Sequence, residues 1–244
     1  MTQVEYANVS AGNGSTFMDD QKSAGDVDGD DTITVQDAYL IQCYYAEASA
    51  GNSTSWESLI AKSDWRTAYT EFLESGAYLD YMSGDDVHFS TIYIDEDDIP
   101  ELIYTWSGIH AAGACIAIFS HNKVVVLSGT SKYLGNTVYA FGGWGQICYL
   151  EGENLFDSWY CNFGVAYNDV YSISDGKAVR EVYLTSDNYY PSIQKYLIDD
   201  VEVTEAEYNE KYAEYNISSM VWSPSYDDMY SINSTDIASY FNNL

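Results

Sequence analysis

The chain has 244 residues, enough to bury a sizeable core and best suited to one ordinary domain plus a smaller module. Its 38 acidic against 9 basic residues give a net charge of -29, which repels nucleic-acid phosphates and anionic membrane surfaces and excludes both as expected partners. With 46% hydrophobic residues, 25 Tyr and 6 Trp, the composition is too apolar and aromatic for a disordered acidic chain. No apolar run approaches the roughly 20 residues of a membrane helix.

In chain order, the first feature is a repeat. EYANVSAG at residues 5–12 returns as YYAEASAG at 44–51, matching at Tyr6/Tyr45, Ala7/Ala46, Ser10/Ser49, Ala11/Ala50 and Gly12/Gly51. The second copy is preceded by the acidic run DVDGDDTITVQD at residues 26–37, whereas the first starts close to Met1 without one. Asp26, Asp28, Asp30 and Asp37 take the first, third, fifth and twelfth places of a loop, and Thr32 at the seventh offers its carbonyl. That is the oxygen-rich set calcium requires. The sixth place, where a sharp turn favours Gly, holds Asp31, and Gly29 sits at the fourth. An acidic turn that caps a helix at Asp37 would use the same residues without an ion. Ala38, Ile41, Tyr45 and Ala48 then recur at helical spacing, with Gly51 as the stop.

The stretch GDVDGDDTITVQDAYLIQCYYAEASAG resembles the second repeat of a bacterial dockerin, the first repeat being truncated, over about residues 4–51. This resemblance implies calcium as cofactor and docking onto a cohesin module of a scaffoldin, in a cellulosome or related cell-surface assembly for polysaccharide metabolism. By the same resemblance Val35 and Gln36 would read the cohesin, with helix contacts from Cys43 and Glu47. Dockerins usually carry two such loops, and this sequence has one. The implied location is extracellular or on the cell surface, the leader having been removed or truncated.

Trp56, Leu59 and Ile60, then Trp65, Tyr69, Phe72 and Leu73, recur at helical spacing before Gly76. From Val87 onward short apolar or alternating runs predict strands: VHFSTIYI, ELIYTW, ACIAIFS, KVVVLSG, TVYAF, GQICYL, FDSWYC, VAYNDVYSI, AVREVYLTS and IQKYLI. Short turns between them, such as Glu151-Gly152-Glu153 and Ser174-Asp175-Gly176, favour an antiparallel meander. Thr204 and Glu207 form a capping-box pattern ahead of Tyr208, Tyr212 and Tyr215, and Ile237, Tyr240 and Phe241 predict a final helix. The expected class is therefore α+β: a partial dockerin-like module at 1–52, a helical connection at 53–86 packed on the body, and an antiparallel β-rich body at 87–244 with C-terminal helices.

The segment YIDEDDIPELIY is similar to the Asp-x-Asp-Gly-Ile-Pro-Glu-Leu segment of secreted bacterial proteins with FG-GAP-like hairpins. That likeness places Asp95, Asp97 and Glu101 on ligand positions of a second metal site, with Tyr93 where the first Asp would stand. A solvated acidic turn is the other reading. The body, including HAAGA and VTEAEYNEKYAEYN, looks like an uncharacterised domain of dockerin-bearing proteins from gut and rumen Clostridia, a likeness that implies no known activity.

Catalytic signatures are absent from the sequence: no HExxH, no GxSxG, and Ser107 near His110 lacks an orienting acid. No catalytic residue is assigned. Among 38 acids a working carboxylate pair remains open, with Glu101 and Asp95 or Glu151 and Glu153 as the candidates. Cys43, Cys115, Cys148 and Cys161 have no CxxC spacing; Cys148 and Cys161 could pair across strands or all four could be buried thiols. Aromatic rings on a β face could bind sugar, and Trp144 in GGWGQ is the leading ligand-binding candidate because its glycine neighbours leave the ring uncrowded. The function expected is a secreted or cell-surface accessory protein that docks through calcium and whose β-rich body binds glycan or protein. The alternative is a cellulosome-associated hydrolase with an unrecognised site.

Overall fold

The computed structural model describes residues 25–27, 35–51, 65–82, 84, 86–97, 99–120, 123–130, 132, 135–190 and 193–243. The chain divides into two compact units, Met1–Ala68 with His121–Lys123, and Tyr69–Ser120 with Val124–Leu244. Both helices and strands are present, and the strand pairs within the sheets are antiparallel.

In the first unit, helix α1 spans Val35–Ser49. Its buried side is Asp37, Ala38 and Leu40, while Tyr45 is 65% exposed, so the apolar stripe expected through Tyr45 is covered only over the first turns. The end agrees with the sequence. Gly51 takes the left-handed conformation and its N–H bonds back to the Ala48 carbonyl at 3.2 Å. The expected helical residues Trp56, Leu59 and Ile60 lie outside the described residues.

Helix α2 covers Trp65–Glu74 and ends at Gly76, again left-handed. The strands follow: β1 His88–Ile92, β2 Glu101–Thr105, β3 Ala114–Ser120, β4 Lys123–Val126, β5 Gly129–Thr130, β6 Thr137–Val138, β7 Ala140–Phe141, β8 Cys148–Leu150, β9 Leu155–Asp157, β10 Tyr160–Asn162, β11 Val165–Ser174, β12 Lys177–Tyr190, β13 Ile193–Ile198 and β14 Val201–Val203. Helix α3 is Glu205–Glu214, then β15 Val221–Trp222, β16 Tyr230–Ser231 and helix α4 Ser234–Phe241. The capping box at Thr204 and Glu207 is formed on both sides, as the spacing predicts.

One sheet runs β16-β1-β2-β3-β4 with β7 also on β3; the other runs β14-β13-β12-β11-β9-β8-β15 with β10 also on β11. Apolar residues from both sheets share a core: Ile92, Ile103 and Ile116 from the first meet Phe156 and Tyr171 from the second. Phe141 bridges them, its ring 5.2 Å from Phe156 and 5.4 Å from Tyr171. Every residue of β2 is buried because that strand is covered on both faces. Ile103 points into the inter-sheet core, while Tyr104 meets Phe72 and Tyr78 on the helical side. Phe89 and Tyr69 close the same side against Phe241 of α4. On the outer face of the second sheet, Tyr208 of α3 packs with Val170, Val182 and Leu184.

Three two-residue hairpin turns set the register of the second sheet: Phe163-Gly164, Asp175-Gly176 and Asp199-Asp200 each hold both residues at positive φ, as a type I′ turn requires. Asp and Gly suit that geometry. A phenylalanine does not, and Phe163 at φ 48° is both strained and 77% exposed.

Candidate functional site

The sequence points to three places, and the structure places each. In the first unit, Asp37 is fully buried at the head of α1 and its Oδ1 accepts the Val27 N–H at 2.7 Å. The twelfth residue of the acidic run is thereby folded back onto the second. Asp26 adjoins that contact in sequence, and Asp28, Asp30 and Thr32 lie outside the described residues. Val35 and Gln36 open α1; Glu47 is exposed further along it. Cys43 is half-buried, and its hydrogen bond to Tyr39, aided by burial, pushes the Tyr39 hydroxyl up to about 12.

In the second unit, the β1–β2 connection gathers Asp95, Asp97 and Glu101, whose nearest oxygens all lie within 4.8 Å of one another. Asp95 accepts the Asp97 N–H at 3.0 Å and Asp97 accepts the Ile99 N–H at 2.8 Å, two local turns that fix both carboxylates in the connection. Glu101 begins β2, is 2% exposed, and accepts the Ile94 N–H at 2.6 Å. Burial pushes its carboxyl up to about 8, against the Ile94 hydrogen bond and with help from the Asp95 charge. Three carboxylates supply part of the six to eight oxygens calcium takes. The turn of Glu151 and Glu153 lies alongside, with Gly152 and Asn154 donating to the carbonyls of Tyr93 and Ile94 at 3.2 and 2.7 Å. Glu101 paired with Asp95 is poorly placed for hydrolysis, because its carboxyl is enclosed and engaged by its own turn.

The third place is aromatic. Trp144 projects from the β7–β8 connection, and the glycines around it have a different role from the one its sequence neighbours suggest. A Cβ on Gly142 would stand 1.9 Å from the Gln146 carbonyl, and one on Gly145 would stand 2.5 Å from the Ser107 carbonyl. The glycines exist because the backbone is pressed against its neighbours. The ring is consequently packed, not uncrowded: it stacks on Trp159 at 5.5 Å and 25° and meets His110 edge-on at 4.6 Å. Trp159 in turn stands at 87° to Trp222, 5.3 Å away. Trp144 itself has φ 54°, a conformation that costs a bulky residue about 1 kcal/mol or more.

Trp222 and Tyr160 join this cluster although nothing in their sequence context sets them apart. Trp222 arrives through β15, a two-residue strand paired with β8 and fastened by Gln146 and Ile147 to Ser223 at 2.7 and 3.1 Å. Two residues carry no period to read. His110 donates from Nε2 to the Cys161 carbonyl at 2.7 Å and lies 4.7 Å from the Tyr160 ring, while the Ser107 hydroxyl accepts from Ile109 N–H at 3.2 Å. Ser107 and His110 therefore form no nucleophile–base pair.

All four cysteines are free thiols, so the Cys148–Cys161 pairing is not formed, and burial pushes Cys115 and Cys148 each up to about 12. An open groove of about 450 Å³ includes Thr130, Lys177 and Arg180, but the Arg180 guanidinium is already committed to both oxygens of Asp169 and to the Tyr171 hydroxyl. Compared with protein-family models, curated proteins and solved structures, the chain matches none.

Proposed function

We propose that the chain is a secreted or cell-surface accessory protein whose residues 26–37 bind calcium and dock onto a cohesin module of a scaffoldin, and whose β-rich body binds a ligand without transforming it. The observation that carries the docking half is the buried Asp37 carboxylate held on the Val27 N–H. It supports a loop drawn into a ring ahead of α1, with Asp26, Asp28, Asp30 and the Thr32 carbonyl as the remaining ligands. Val35, Gln36, Cys43 and Glu47 are the cohesin contacts in this reading.

The noncatalytic half is supported by the enclosed Glu101, by the different hydrogen-bond partners of Ser107 and His110, and by the half-exposed Trp222 ring of the second unit. Asp95 with Glu101 is the pair on which a hydrolase would rest, and the enclosure of Glu101 weighs against it. The docking test is retention of the protein on an immobilised cohesin module. Retention in calcium that disappears in chelator and in Asp26→Ala supports the proposal. Equal retention in chelator, or none in calcium, refutes it.

A further inference from the structure

The groove of about 450 Å³ on the second unit departs from the charge of the chain around it. The chain holds 38 acids against 9 basic residues, yet among the described residues no acid lines the groove and two basic ones do, Lys177 and Arg180. Lys132, Lys195 and Lys211 of the same unit are each paired with an acid, Asp200, Glu202 and Glu214 respectively. Lys177 is exposed and has no acidic partner among the described residues.

Local structure builds the groove. Strands β5 and β6 pair Thr130 with Thr137, and the Asp175-Gly176 turn returns the chain as β12, which opens with Lys177. Tyr171 and Ala178 are buried and give the groove its apolar base. Arg180 is fixed in place: its Nε and Nη2 hold the two oxygens of Asp169, and Nη2 also donates to the Thr130 carbonyl at 3.0 Å and the Tyr171 hydroxyl at 2.8 Å. Its Nη1, with two N–H donors, keeps no partner among the described residues. A donor already held in place loses little freedom when a ligand binds.

This chemistry selects an anion of one charge. Asp169 neutralises Arg180 without engaging Nη1, so the Lys177 ammonium is the uncompensated charge of the groove. A phosphate monoester carries more than one negative charge at neutral pH and would meet the field of a chain at -29 with one cation to offset it. A carboxylate carries one, and its two oxygens suit ammonium and guanidinium donors. The volume is that of a small-molecule site. We propose that the groove binds a small organic monocarboxylate, its oxygens on Lys177 Nζ and Arg180 Nη1 and its carbon skeleton toward Tyr171 and Ala178. This names the chemical class of the body's ligand, rests on the reading of the body as a noncatalytic binder, and is independent of the calcium loop.

The test is saturation-transfer NMR on the full chain at neutral pH in chelator, titrated with benzoate and D-glucuronate and with their uncharged counterparts benzamide and D-glucose. Wild type binds at least one of the carboxylates about tenfold more tightly than its uncharged counterpart, and Lys177→Met removes that advantage. Lys177→Arg keeps it. Lys195→Met, which removes the same charge outside the groove, keeps it too. Matching melting transitions establish that each variant is folded. No binding of either carboxylate, equal binding of the uncharged counterparts, or equal loss in Lys195→Met overturns the assignment. Phenyl phosphate held more tightly than benzoate overturns the choice of a monoanion. Benzoate or glucuronate consumed by wild type but not by Lys177→Met would refute the noncatalytic reading while upholding the groove as the carboxylate site.

Discussion

Replacing Glu101 by Gln should reverse part of the pH dependence of the body's stability. The glutamine carbonyl can still accept the Ile94 N–H that Glu101 accepts at 2.6 Å, so the turn is preserved and only the ionisation is lost. In the folded protein the carboxyl is pushed from its ordinary 4.5 up to about 8, first by burial and then by the charges of Asp95 and Asp97. A raised acid holds its proton in the native state while the unfolded chain has already released it. Its contribution is therefore complete below pH 4.5 and is lost as the pH rises through about 8, a loss of at most about 5 kcal/mol. Asp157 adds a loss of the same sign, being raised by burial from 3.8 to about 7 despite hydrogen bonds from Asn168 and the Asp169 N–H. Urea unfolding in chelator across this range measures the effect. Wild type should weaken steadily toward alkaline pH, and Glu101→Gln should weaken less and be the more stable protein at the alkaline end. Parallel curves for the two proteins would refute the reasoning. A calcium ion held by Asp95, Asp97 and Glu101 would favour the ionised carboxylate and restore wild-type stability at high pH while leaving the glutamine variant unmoved.

Two further expectations concern the body. Gly145→Ala places a methyl 2.5 Å from the Ser107 carbonyl at φ 70°, and should destabilise the fold by about 2 kcal/mol or more, read as a lower urea midpoint and altered tryptophan fluorescence. Arg180→Met leaves Asp169 without its guanidinium partner and should cost about 2 kcal/mol; Asp169→Asn added to it should recover most of that loss in a double-mutant cycle.

The long strands were legible because their pattern is long. VAYNDVYSI and IQKYLI became β11 and β13, and the Thr204–Glu207 box capped α3, since alternation and capping act locally. Where the chain changes sheets, local pattern fails: KVVVLSG divides into β4 and β5 on either side of Leu127, and TVYAF into β6 and β7 at Tyr139. The edge pieces β15 and β16 were invisible, being two residues each and defined by partners far away in sequence. The candidate sites follow the same rule. Asp95, Asp97 and Glu101 converge because they share one turn, so spacing alone brings them together. Trp144 was legible as a residue set apart by glycines, but its companions Trp159 and Trp222 come from a separate connection and an edge strand. The glycines report close backbone approach, not an open ring.

Calorimetric titration of calcium into the chelated protein tests most directly whether residues 26–37 hold the ion. Wild type should bind at this loop, and both Asp26→Ala and Asp37→Ala should lose that site while Glu101→Gln keeps it. Binding left intact in both aspartate variants, or no heat and no gain in thermal stability in wild type, would contradict the account, because an ion that binds only the folded loop must stabilise it.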